Sequence, residues 1–183
     1  LEDALGTSIR SEVTRMTRQI DVHLSQARVA AAGSLTGLRT PVAPAVEGLF
    51  RALRRLHADR PLVLAHDVAP DLLVRCTPED LDEMLGNLLD NACTWARGRV
   101  HVNATREAHR IVVLVEDDGE GLEPAMLTRV VQRGVRADER RTGSGLGLAI
   151  VHDLVELYDG TLALDFSPLG GLRVQLTLAA AGP

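Results

Sequence analysis

The chain has 183 residues, enough for one domain with a sizeable core plus an extra element. Apolar residues make up 45% and aromatics only 2%, which predicts an aliphatic core and argues against disorder. The net charge of −5 leaves no basic footprint for nucleic acid, and all 20 basic residues are Arg; without a Lys, a Walker-type phosphate loop and Schiff-base chemistry are excluded. Cys76 and Cys93 read as buried thiols in a reducing compartment. No stretch reaches the roughly 18 apolar residues of a membrane span, and no signal peptide is visible. The chain opens with Leu1, so it is expected to be a fragment of something longer.

Residues 7–32 contain no Pro and carry Ile9, Val13, Met16, Ile20, His23, Ala27 and Ala30 at alternating steps of four and three. This heptad seam predicts one long helix of a helical bundle, because a lone helix cannot bury its own stripe. Gly33, Gly37, Pro41 and Pro44 mark a boundary. Residues 44–58 have helical spacing, and strands are expected at 62–65 and, shorter, at 71–76. Thr77 is a good N-cap, with Pro78 at the first helical position, for a helix running to about Trp95. Residues 99–106 and 110–116 predict a strand pair. A short helix over 124–132, a loop over 133–145 and a helix over 146–158 follow, the last ended by Gly160 as a C-cap glycine. Strands over 161–166 and 172–178 close the chain. The expected architecture is a two-layer α/β sandwich with a mixed sheet and helices on one face. Its expected divisions are 1–33 for the bundle helix, 34–59 for a linker and leading helix, and 60–183 for the α/β domain.

Four clusters carry chemistry. In Glu83-Met84-Leu85-Gly86-Asn87-Leu88-Leu89-Asp90-Asn91-Ala92, Asn87 and Asn91 share one helix face. Paired carboxamides suit a hydrated Mg²⁺, which prefers oxygen ligands; alone, they also read as a solvated helix face. In Asp117-Asp118-Gly119-Glu120-Gly121, a strand-end carboxylate can accept from an exocyclic amine, and glycines allow close approach of a ring; alone, this is also a plain turn. In Gly143-Ser144-Gly145-Leu146-Gly147-Leu148, glycines run into a helix start, where free amides and the helix dipole favour polyphosphate. No strand precedes this run, so it is not a dinucleotide-binding fingerprint. Gly170-Gly171, before the last strand, is on its own a turn.

In this order and spacing the four clusters resemble the N, G1, G2 and G3 boxes of the GHKL ATPases, over roughly residues 60–178. Within that superfamily, Gly86-Asn87-Leu88-Leu89-Asp90-Asn91-Ala92-Cys93, Arg133-Gly134-Val135-Arg136-Ala137-Asp138 and Leu157-Tyr158-Asp159-Gly160 look like a sensor histidine kinase of the PhoQ type. The helix at 7–32 is similar to the second helix of that family's dimerisation and phosphotransfer domain. The resemblance implies the Bergerat fold, with ATP and Mg²⁺ as cofactors. Asn91 would coordinate Mg²⁺, supported by Asn87. Asp117 would bond the adenine amino group, with Gly119 and Gly121 letting the base lie flat. Gly143, Gly145 and Gly147 would hinge a lid, and the amides near Leu146, Gly147 and Leu148 would cap the phosphates. Arg136 and Arg141 sit where related kinases place lid arginines, which neutralise charge on the γ-phosphate.

The gyrase-like and Hsp90-like members carry a water-activating Glu at the position of Asn87. An Asn side chain is no such base, so transfer to a protein histidine is expected rather than rapid hydrolysis. The family usually has Lys and then Tyr or His where this chain has Thr94 and Trp95. Trp95 is expected to stack on the adenosine, whereas Thr94 lacks the Lys charge. No phosphoacceptor pattern surrounds any of the six histidines, and His23 reads as a polar seam residue, so the acceptor is expected upstream. The resemblance further implies a homodimer through the N-terminal helix and a response-regulator receiver domain as partner. It also implies a cytoplasmic position for this portion of a membrane-bound sensor, with no nucleic-acid or membrane contact by these residues. A degenerate nucleotide-binding pseudokinase and a GHKL protein-serine kinase of the anti-sigma-factor type are the competing readings.

Overall fold

A computed structural model of the chain describes residues 37–122 and 147–182. The predicted helices at 7–32 and 124–132 and the predicted loop at 133–145 lie outside the described residues.

The chain enters through β1 (Thr40–Pro41) and runs at once into α1 (Val42–Leu56). This helix starts two residues earlier than its spacing predicted. Pro44 is tolerated because the amides of a first turn have no intrahelical acceptor to lose. Val42, Val46, Phe50 and Leu53 form its buried stripe. Strand β2 (Val63–Val68) follows, then β3 (Leu73–Val74), which is far shorter than the six residues expected. β3 pairs antiparallel with β1 in a separate two-stranded sheet, and the Thr40 hydroxyl donates to the Cys76 carbonyl at 2.6 Å. Helix α2 (Pro78–Trp95) opens as expected: the Thr77 hydroxyl accepts from the Asp80 amide at 3.2 Å. Strands β4 (Arg99–Glu107) and β5 (Arg110–Asp117), helix α3 (Gly147–Leu157), and strands β6 (Thr161–Phe166) and β7 (Leu172–Ala179) complete the described elements.

The main sheet has the order β2-β4-β5-β7-β6; only the β2–β4 pair is parallel, so the sheet is mixed. α2 packs on β4 and β5 and is flanked by α1, which covers β2, and by α3, which covers β6 and β7. All three described helices therefore lie on one face. The core between the layers is aliphatic, built on Leu81, Met84, Leu85, Leu88, Leu89, Val102, Ile111, Val113, Leu176 and Leu178. On the opposite face the strands carry a polar row. Asp67 meets His101 at 3.1 Å, His101 lies 4.0 Å from Glu116, and Glu116 pairs with Arg173 at 2.6 Å. Both cysteines are buried and free; burial, with nearby carboxylates, pushes Cys76 up to about 12 and Cys93 up to about 11. Such thiols stay protonated and inert, as core residues should.

The end of α3 differs from expectation. Asp159, with φ of +50°, takes the left-handed position that was assigned to Gly160. The Asp159 amide bonds the Glu156 carbonyl and the Gly160 amide bonds the Val155 carbonyl, which is the Schellman pattern. Gly160 is needed for space instead, since a Cβ there would lie 2.6 Å from the Thr177 carbonyl oxygen. At the residue just before Asp159, the end of α3 is tied to the start of α2. The Tyr158 hydroxyl donates to Asp80 Oδ2 at 2.5 Å and accepts from the Thr77 amide at 3.3 Å. Burial and the Asp80 carboxylate push the Tyr158 phenol above its ordinary range, so it remains a donor. Replacing Tyr158 with Phe is expected to cost about 2 kcal/mol, the value of a hydrogen bond to a charged group. A urea titration would read it as a lower midpoint at unchanged slope, and an unmoved midpoint would refute the tie.

Candidate functional site

The last residue of β5, Asp117, emerges from an aliphatic strand and is 2% exposed. Strand alternation turns Glu116 to the opposite face, where Arg173 holds it. Asp117 Oδ1 accepts from the Gly119 amide at 2.8 Å and the Leu172 amide at 3.2 Å. The Gly171 amide bonds the Asp117 carbonyl at 3.1 Å, so the turn before β7 is laid across the end of β5. A side chain at Gly171 would run into Asp117 Oδ1 and the Gly119 amide, and one at Gly119 would stand 2.6 Å from the Trp95 carbonyl oxygen. Gly171 is therefore a packing requirement of the site, whereas Gly170, at φ of +110° with open space around it, serves the turn itself. Gly121, at φ of +69°, completes the bend beside Gly171.

Oδ2 of Asp117 has no hydrogen-bond partner among the described residues. Burial pushes the Asp117 carboxyl above its ordinary value; the Gly119 and Leu172 amides pull it back in part, and the neighbouring Asp118 charge adds to the rise. Asp118 behaves oppositely. Burial raises it, but the amides of Gly98, Arg99 and Arg97 and the Arg99 guanidinium outweigh that, and its pKa lies below the ordinary value.

The second half of the site is a half-buried flank of α2. Asn87 Nδ2 donates to the Glu83 carbonyl at 2.8 Å, which orients Oδ1 away from the helix. That oxygen faces the start of α3, where a Cβ on Gly147 would stand 2.9 Å from it. Asn91 Oδ1 accepts from the Trp95 indole N–H at 3.2 Å. Both carboxamides are half-buried and have their oxygen ends assigned by these bonds. The arrangement suits a hard cation that takes oxygen ligands and keeps several waters. Among the described residues, then, the fold links Asn91 to Trp95, Trp95 to Gly119, Gly119 to Asp117, Gly121 to Gly171, and Asn87 to Gly147; Thr94 and Leu148 are the chain neighbours of Trp95 and Gly147. Arg136, Arg141, Gly143, Gly145 and Leu146 lie outside the described residues.

Two residues with work at this site had no assigned role in the sequence. Arg60 lies in the connection before β2, and its guanidinium donates to the carbonyls of Cys93, Thr94 and Ala96 at the end of α2. Asp118 stood in a recognised motif, yet only the fold reveals that it holds the turn after α2. A basic residue ahead of the Pro61 strand start was the one visible signal for Arg60; nothing in the sequence paired it with a helix end.

A family model described as "Histidine kinase-, DNA gyrase B-, and HSP90-like ATPase" matches residues 76–182. The two-component sensor PhoQ of Pseudomonas aeruginosa is 38% identical over 171 residues, 93% of this chain; the chain spans 38% of that protein's length. The mycobacterial sensor histidine kinase MprB superposes with a TM-score of 0.67 at 25% identity, covering 79% of this chain and 99% of that one. Full-length ShkA, solved with AMPPNP, superposes with a TM-score of 0.62 at 26% identity, covering 95% of this chain and 39% of ShkA. The family match spans more than half of the sequence and includes both halves of the site, so the chain belongs to the histidine kinase-, DNA gyrase B- and HSP90-like ATPases, among the sensor histidine kinases.

Proposed function

We propose that residues 60–183 bind Mg·ATP and present its γ-phosphate to a histidine of the dimerisation domain upstream, for relay to a response-regulator aspartate. The observation that carries this reading is Asp117. It is a buried carboxylate with one oxygen fixed by two amides and the other available to an exocyclic amine. In this reading Asp117 selects the base. Gly119, Gly121 and Gly171 keep the backbone low beside it. Trp95, Thr94 and Leu148 border the nucleotide. Asn91 and Asn87 hold the metal, which when bound supplies charge neutralisation at the phosphates. Gly143, Gly145, Leu146 and Gly147 cap the phosphates, and Arg136 and Arg141 stabilise charge as the phosphoryl group transfers.

Asn87 carries no group able to deprotonate water, and its amide nitrogen is already committed to the Glu83 carbonyl. Slow hydrolysis and transfer to a protein acceptor follow. The acceptor histidine, the homodimer through residues 1–33, the receiver-domain partner and a cytoplasmic position belong to the same proposal. No helix among the described residues is long and apolar enough to cross a membrane. Thr94, which brings no charge toward a phosphate, favours the pseudokinase as the second reading. Labelling by ATP of a protein that includes the upstream helix separates the two: incorporation at a histidine supports the kinase, and binding without incorporation supports the pseudokinase.

Three outcomes are expected. Asp117→Asn exchanges an acceptor for a donor opposite the base and should weaken ATP about 10- to 100-fold in calorimetry; equal affinity would remove Asp117 from the site. Gly171→Ala should destabilise by about 1–3 kcal/mol and reduce ATP binding at the same time, because the new methyl meets fixed backbone. Protonating Asp117 removes the acceptor, and its pKa is raised. ATP affinity should therefore begin to fall with acid at a higher pH than an ordinary carboxylate would dictate. A flat profile down to the ordinary carboxylate range would contradict that.

A further inference from the structure

The segment from Cys93 to Arg99 joins the metal half of the site to the base half, and two charged side chains grip its backbone. The last carbonyls of a helix have no intrahelical donor, and α2 has no basic residue in its last turn. Arg60 supplies the missing donors from outside the helix. Nη1 bonds the carbonyls of Cys93 at 2.5 Å and Thr94 at 3.3 Å, and Nη2 bonds that of Ala96 at 2.5 Å. The cation also sits at the negative end of the helix dipole. Asp118 Oδ1 then takes the next three amides, those of Arg97 at 2.8 Å and of Gly98 and Arg99 at 3.0 Å each. Within the stretch held by Arg60, the Trp95 carbonyl lies against Gly119 of the base-binding turn.

We propose that Arg60 and Asp118 are positioning residues that together clamp residues 93–99, so that the Trp95 indole holds the Asn91 carboxamide oxygen in place for the metal. The inference rests on the assignment of Asn91 as a metal ligand. A carboxamide oxygen has two lone pairs, and the indole N–H engages only one of them. The bond also prevents the amide from flipping its nitrogen toward the cation. A guanidinium on three carbonyls and a carboxylate on three amides are charge-assisted contacts, stronger than the neutral bonds of an ordinary turn. They give the turn a single geometry in a chain whose residue 94 carries no charge of its own.

The test uses ADP titrated with and without Mg²⁺ by calorimetry, together with emission from Trp95, the only tryptophan, and hydrogen exchange at the amides of 97–99. Arg60→Met and Asp118→Asn should speed that exchange and shift Trp95 emission to the red. Both should cut the Mg²⁺-dependent gain in ADP affinity about three- to tenfold while leaving metal-free ADP binding within about twofold. Trp95→Phe, which removes the indole donor and keeps an aromatic ring beside the nucleotide, should show the same loss of the Mg²⁺-dependent gain. It decides the matter if Arg60→Met fails to fold. Asn91→Ala separates the two levels. If it abolishes the Mg²⁺-dependent gain while the clamp variants and Trp95→Phe keep it in full, the clamp is overturned and the metal assignment stands. If Asn91→Ala keeps the gain, the metal assignment fails and the inference fails with it.

Discussion

In the proposed function Asp117 has to remain a charged acceptor at a position that is almost closed to water. Two backbone amides on Oδ1 offset part of the desolvation, but burial still raises its pKa, so the folded chain binds a proton there more readily than the unfolded chain does. Stability associated with this group is therefore lost as pH rises from the unfolded value through the raised one. The neighbouring Asp118 has the opposite sign. Its stabilisation is complete above the unfolded pKa and is lost as pH falls through the lowered one. A run of three carboxylates, 116 to 118, is thus tolerated because each has a different partner: an arginine behind the sheet, amides from the β7 turn, and amides from the turn after α2.

Helix α2 carries the other constraint. One face supplies Leu81, Leu85, Leu88, Leu89 and Ala92 to the core, each almost wholly buried, so the helix cannot rotate or slide without losing aliphatic contact with the sheet. That rigidity fixes the adjoining flank, where Asn87 and Asn91 stand one turn apart. Thr77 and the Tyr158–Asp80 bond hold the start of the helix, and Arg60 holds its end. Core packing, capping and site geometry are thereby one problem solved on a single element.

Much of this was legible in the sequence because the signals are local. Thr77-Pro78 announced α2, alternation announced β4 and β5, and the spacing of the four glycine and asparagine clusters pointed to the ATPase family that the family match shows. What escaped notice depends on contacts between distant residues. The β1–β3 sheet has two residues per strand and is held by Thr40 on Cys76, 36 positions away, which no periodicity can display. The Asp159–Gly160 end of α3 was misread because Gly160 is required by the approach of Thr177, from another strand, and not by its own φ. β2 extends past Ala65 through His66 and Asp67, polar residues that a hydrophobic run excludes. An edge strand with one face turned outward accepts them, and Asp67 there meets His101. Arg60 is one of 20 arginines, and only the placement of the helix end singles it out.

The central claim is that the Asp117 carboxylate reads the base of a bound nucleotide while α2 holds its metal. A crystal structure of the chain with Mg²⁺ and a non-hydrolysable ATP analogue tests this directly. The account predicts the exocyclic amine of adenine within hydrogen-bond distance of Asp117 Oδ2, with Asn91 Oδ1 on the metal. A nucleotide bound with its base away from the β5 end, and Asp117 Oδ2 left without it, would contradict the account.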